Sequence, residues 1–129
     1  MKLEAEGKPE IHEPRESQVA RAIKSLKSYG PSSYASLTDA RGNYVQVAGG
    51  GVTCMIERYD AASRKRFRAF HDKPNTVRPD GTILSFRAGN IPMRSDEWFM
   101  SNQVTEVFVA FLNGEAFPAN VRWRDAPGF

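Results

Sequence analysis

The apolar positions repeat with two different periods. Val19, Ala22, Ile23 and Leu26 recur at helical spacing behind Pro14, whose missing N–H costs nothing at a first helical position. Gly30-Pro31 closes that pattern, because glycine accepts a left-handed cap and proline cannot continue the ladder. The spacing predicts an amphipathic helix over residues 14–29. Late in the chain, Val104, Val107, Phe108, Phe111 and Leu112 form a wide apolar stripe of the same period. Ser101 stands where a hydroxyl cap would start this second helix, and Gly114 where a C-terminal cap would end it.

Between these segments the period shortens to two. Ala35 and Leu37 alternate with Tyr34, Ser36 and Thr38, and Asp39 to Asn43, with Gly42, reads as a tight turn. Tyr44 to Ala48 is a run of strong β-formers broken by Gly49-Gly50-Gly51, and Val52 to Tyr59 is the next strand. Asp60 to Ser63 turns the chain into Arg64 to His71. There Phe67, Ala69 and His71 share one face, and Arg66, Arg68 and Phe70 the other. Residues 72–81 read as a loop and Thr82 to Phe86 as a strand. Ile91, Met93, Trp98 and Met100 are apolar islands with room for a further strand, and Val121 to Asp125 for a short edge strand. Residues 1–13, polar and acidic, read as a loose lead-in. Short connections between strands favour antiparallel pairing. The expected fold is therefore α+β: an antiparallel sheet of about five strands packed by an N-terminal and a C-terminal helix, one domain over residues 14–129.

Composition narrows the classes. The chain has 129 residues, 40% hydrophobic and 26% charged, enough to bury a core without metal or disulfides. The single cysteine, Cys54, excludes an internal disulfide and a multi-cysteine zinc site. No apolar run approaches the roughly 18 residues that cross a bilayer. Met1 to Glu6 lacks the apolar stretch of a secretory signal, so the expected compartment is a reducing cytoplasm, with no membrane partner. The net charge is +3, and its positive part is concentrated: residues 58–81 hold seven bases and three acids. Such a region can bind phosphates or face an acidic protein surface.

Catalytic and metal chemistry finds little support. His12 and His71 have no carboxylates clustered at metal-ligand spacing. A Cys54–His71–Asp72 nucleophile set is formally available, but a cysteine inside Val52-Thr53-Cys54-Met55-Ile56 reads as a small core residue. Gly49-Gly50-Gly51 is followed by a strand and lacks the lysine of a phosphate loop, so it reads as hairpin chemistry. Asp96-Glu97 suits a solvated turn. No enzyme activity, cofactor or metal is expected. Phe67 and Phe70 interleaved with arginines raise a nucleic-acid-binding module on residues 58–78 as the alternative function, although an RRM signature is absent.

Taken in order, the segments carry a resemblance. A helix behind Pro14 is followed by Leu37 and by Gly42-Asn43-Tyr44-Val45-Gln46-Val47-Ala48-Gly49. Met55-Ile56-Glu57-Arg58-Tyr59 and Phe67-Arg68-Ala69-Phe70 come next. Then come Val104, Val107, Phe108 with Phe111-Leu112-Asn113-Gly114, Phe117-Pro118 and Trp123-Arg124-Asp125. Over residues 14–125 this layout resembles small bacterial immunity proteins of polymorphic toxin systems, encoded beside contact-dependent, Rhs-type or type VI secreted toxins. The resemblance implies a non-enzymatic cytoplasmic inhibitor that binds the C-terminal domain of a cognate toxin. It transfers no contact residue. The partner-binding candidates are instead chosen by residue type, as aromatic and arginine anchors: Tyr44, Tyr59, Arg64, Arg66, Arg68 and Trp98. The slightly basic balance disfavours simple phosphate mimicry.

Overall fold

A computed structural model describes residues 1–127; the last two residues of the expected domain lie outside the described residues. Nine strands and two helices follow in the order β1 (Lys2–Ala5), β2 (Ile11–His12), α1 (Glu16–Lys24), β3 (Tyr34–Thr38), β4 (Tyr44–Gly50), β5 (Thr53–Asp60), β6 (Lys65–Phe70), β7 (Thr82–Phe86), β8 (Gly89–Met93), α2 (Ser101–Leu112) and β9 (Arg122–Asp125). Seven strands form one antiparallel sheet in the order β2-β1-β3-β4-β5-β6-β9, and β7 and β8 form a separate hairpin. The α+β class and the two flanking helices agree with the sequence reading.

The pleat sorts the side chains. Leu3, Leu37, Val45, Val47, Ile56 and Ala69 point to one face and are buried beneath Val19 and Ile23 of α1 and Val104, Val107 and Phe108 of α2. Ala48 and Met55 point to the other face and are buried with Leu84, Ile91, Met93 and Trp98. The β7–β8 hairpin therefore serves as a small second layer over one part of the sheet, and the two helices cover the opposite face.

Several expectations need correcting. Residues 1–13 are not a loose lead-in: β1 pairs with β3, Leu3 facing Leu37, and β2 closes that edge. The segment is pinned where the Glu6 carboxylate accepts from the Ser33 N–H at 2.9 Å and the Ser33 hydroxyl at 2.7 Å. The first helix is shorter than 14–29. It stops at Lys24, and the Ser25 hydroxyl donates to the Ala22 carbonyl at 2.9 Å, leaving Leu26 free to turn into the core. Ser101 is a first-turn residue, not the cap; the Met100 N–H is satisfied by the Gln103 side chain at 2.8 Å. Gly114 does follow the helix, its N–H donating to the Phe111 carbonyl. The glycine run does not end its strand at Ala48. β4 continues through Gly49, at φ +89°, and Gly50, and the segment after α1 crosses directly over Gly50.

Candidate functional site

Strand register aligns the side chains of the hairpin-side face in cross-strand rows. One row runs Lys2, Thr38, Tyr44, Tyr59, Arg66 across β1, β3, β4, β5 and β6. The next runs Glu4, Ser36, Gln46, Glu57, Arg68, Arg124 and reaches β9. The third includes Tyr34, Ala48 and Met55, and the hairpin sits on it. The first row remains open to solvent. Within it Tyr44 and Tyr59 stack, ring centroids 5.1 Å apart and planes 17° from parallel, on the two central strands. Arg66 lies directly opposite Tyr59 on β6 and is exposed.

The second row is the polar spine beside this strip. Gln46 Nε2 donates to Glu57 Oε1 at 3.0 Å, and Arg68 donates to Glu57 Oε2. Burial pushes the Glu57 carboxyl up from its ordinary value, and the adjacent Arg68 pulls it partly back. Arg68 also reaches Glu97 at 3.5 Å, and Arg124 pairs with Asp96 at 2.7 Å and Glu97 at 3.4 Å. The Glu97 carboxylate accepts from its own turn too, from the Arg94 N–H at 2.8 Å. The Asp96-Glu97 step is thus no solvated turn. Glu97 is buried, and the two acids anchor the segment after β8 to β6 and β9.

Of the residue-type candidates, Tyr44, Tyr59 and Arg66 come together on the open strip. Arg64 is exposed beside them in the β5–β6 turn, at φ +59°. Arg68 and Trp98 do not join them. Arg68 is 1% exposed and engaged with Glu57 and Glu97, and Trp98 is 6% exposed in the layer under the hairpin, so neither presents a surface to a partner. Their types suit an interface, but the hairpin folding over the third row removes both from solvent.

Two further features of this face had no signal in the sequence. A groove of about 300 Å³ lies beside the covered row, lined by Tyr34, Gln46, Met55, Phe86 and Ile91, with Phe86 meeting Tyr34 edge-on at 6.5 Å. Only the pairing of distant segments creates it. A second hollow of about 520 Å³ borders Arg68, Asp80, Arg94, Glu97 and Arg124. Its buried acid and one of its aspartates are committed to structure: Glu97 to two arginines, Asp80 to the Ser95 N–H at 2.8 Å.

The remaining chemistry-bearing residues are also committed. Cys54 is buried, and desolvation pushes its thiol up to about 12. His71 faces the Trp98 carbonyl through Nε2 at 2.8 Å and accepts the Lys73 N–H at Nδ1, so both ring nitrogens are occupied. No group of three or more metal-ligating side chains occurs among the described residues. The two phenylalanines of the basic strand already carry arginines: the Arg58 guanidinium sits 4.2 Å from the Phe67 ring, and that of Arg124 sits 4.0 Å from Phe70. No helix among the described residues is long and apolar enough to cross a membrane. Neither a protein-family model, nor a curated protein, nor a solved structure matches this chain.

Proposed function

We propose that this chain is a non-enzymatic, protein-binding immunity protein, acting in the cytoplasm, that seats the C-terminal domain of a cognate secreted toxin on the open strip of its sheet and so neutralises it. The observation that carries this reading is the Tyr44–Tyr59 stack, partly exposed on the central strands beside the exposed Arg66. Tyrosine and arginine are the residue types that dominate binding energy at protein interfaces. Strands hold them in place before binding, which lowers the ordering cost of association. The spine of Gln46, Glu57 and Arg68 is hydrogen-bonded in the adjacent row of the same face.

A nucleic-acid module on residues 58–78 has less support. Base stacking needs free aromatic faces, and arginines of the same chain cover Phe67 and Phe70. Arg68 is buried in ion pairs and unable to grip a backbone phosphate.

The test is co-expression with the product of the adjacent gene. Capture of that product by this chain, together with relief of its toxicity, is the expected result. Undiminished toxicity with no complex on a pull-down would overturn the reading.

A further inference from the structure

The open strip ends in two turns that touch. Asp39 to Asn43 joins β3 to β4, and residues 61–64 join β5 to β6. The Asn43 Oδ1 accepts the Ala61 N–H at 2.8 Å, and a Cβ on Gly42 would lie 3.7 Å from that of Ala61. The acids of this tip serve the turns themselves. The Asp39 carboxylate accepts from the N–H groups of Arg41 and Asn43 and from Asn43 Nδ2, and the Asp60 carboxylate accepts from the Ser63 N–H and hydroxyl. The bases do not. Arg41, Arg64, Lys65 and Arg66 are all exposed, and none forms an ion pair among the described residues. Arg64 holds its place at a left-handed φ where glycine or asparagine would sit more easily.

We infer that the paired turns are the docking site for an acidic segment of the protein partner, with Arg41, Arg64, Lys65 and Arg66 meeting its carboxylates beside the Tyr44–Tyr59 stack. This rests on reading the open strip as a protein interface and adds the chemistry of what sits there. Four exposed cations at one end of a rigid sheet complement a surface rich in Asp and Glu, and such complementarity speeds encounter and fixes orientation. An inhibitor that must capture its target before damage occurs gains from a fast on-rate. A nucleic acid would meet the same charges, but Phe67 and Phe70 already carry arginines of this chain and Tyr44 and Tyr59 stack on each other, so the carboxylate-bearing partner is favoured.

The probes are a decaglutamate peptide and a single-stranded oligothymidylate of equal charge, titrated into isotope-labelled protein at low salt and followed by amide chemical shifts. The expected result is peptide-induced shifts confined to residues 39–43 and 60–68. They fade as salt approaches about 0.15 M, where screening acts within about 8 Å. The triple variant Arg41→Glu, Arg64→Glu, Lys65→Glu lowers peptide affinity at least about tenfold while its other amide signals stay put. Absence of shifts at low salt, shifts mapping elsewhere, or tighter binding of the oligothymidylate at these residues would each overturn the inference. The two readings fail separately. Peptide binding here without neutralisation of the adjacent gene product sinks only the immunity function. Neutralisation retained in full by the triple variant sinks only the acidic docking site.

Discussion

The Arg68 guanidinium grips Glu57 Oε2 twice, from Nε at 3.2 Å and from Nη2 at 3.1 Å, with the two side chains 1% and 2% exposed. Glu97, equally buried, lies 3.5 Å from Nη1, so one cation serves two carboxylates out of contact with water. Breaking such a cluster from the cationic side leaves the buried Glu57 carboxylate with only the neutral Gln46 amide, and Glu97 with Arg124 alone as its cation. Arg68→Met is therefore expected to destabilise the fold by about 3–5 kcal/mol in urea unfolding. Arg68→Lys should recover only part, since an ammonium lacks the planar fork. A loss near the surface-pair value of about 1 kcal/mol or less would mean that water reaches the cluster.

The stacked pair on the open strip should separate folding from binding. Tyr44→Ala or Tyr59→Ala removes a partly exposed cross-strand contact worth roughly 1 kcal/mol to the fold. If the proposed interface is right, each weakens capture of the protein partner by about 2 kcal/mol, roughly thirtyfold. Calorimetry of binding alongside thermal unfolding checks both numbers. A variant that unfolds normally and still binds at full strength would remove the stack from the interface.

The parts of this arrangement legible in the sequence are those set by local patterning. The run of β-formers from Tyr44 to Ala48 marked the strand, and the spacing of Val104, Val107 and Phe108 marked the helix that packs on it. What escaped depends on distant partners. β1 and β2 hold few apolar residues besides Leu3 and Ile11, and they become strands because β3 offers an edge. Trp98 and Arg68 have the chemistry of surface anchors, and a hairpin from residues 82–93 decides that they are buried. Glu97 looked like an exposed turn acid for the same reason. Tyr44 and Tyr59 are singled out by residue type alone; that they stack depends on the pairing of β4 with β5 through Gly50 and Thr53, beyond the break that the sequence reading places at Gly49.

Acid should loosen the fold through its capping carboxylates. Hydrogen bonds from Ser33 hold the Glu6 carboxyl below its ordinary value of 4.5; bonds from Ser63 and Ser95 hold Asp60 and Asp80 below 3.8. A carboxyl lowered in the folded state stabilises fully above its unfolded value and loses that contribution as pH falls through the folded one. Stability is thus expected to drop from about pH 4.5 downward, with Glu6→Gln flattening the slope. An unchanged slope in that variant, measured by urea unfolding across the acid range, would count against the Glu6–Ser33 lock.

Base should act through the thiol. Burial raises Cys54 from 9.0 to about 12, so the folded protein keeps a proton that the unfolded chain gives up. The sign is opposite to that of the capping acids: stability is full below about pH 9 and declines between 9 and 12. In the native protein Cys54 is expected to react with a thiol reagent only on unfolding. Rapid stoichiometric labelling at neutral pH would show that the strand opens. Cys54→Ala should remove the alkaline decline attributable to this group.

Gly50 offers the sharpest structural test. A Cβ there would lie 2.2 Å from the Leu26 carbonyl oxygen and 2.8 Å from the Lys27 nitrogen, both backbone atoms that no rotamer change can move. The crossing segment is held on each side, by Lys27 N–H to the Ser32 carbonyl at 3.0 Å and by Gly49 N–H to the Ser33 carbonyl at 2.8 Å. It also seats Leu26, 3% exposed, in the core. Gly50→Ala must push this segment away from β4, and overpacking of that kind costs about 1–3 kcal/mol or more. Gly51 is the control. It has open space around it but a φ of +65°, so Gly51→Ala carries only the left-handed backbone penalty of roughly 1 kcal/mol. Thermal unfolding of the two variants separates steric crowding from backbone strain. If Gly50→Ala proves the milder of the two, the close crossing of the α1–β3 segment over β4 is wrong.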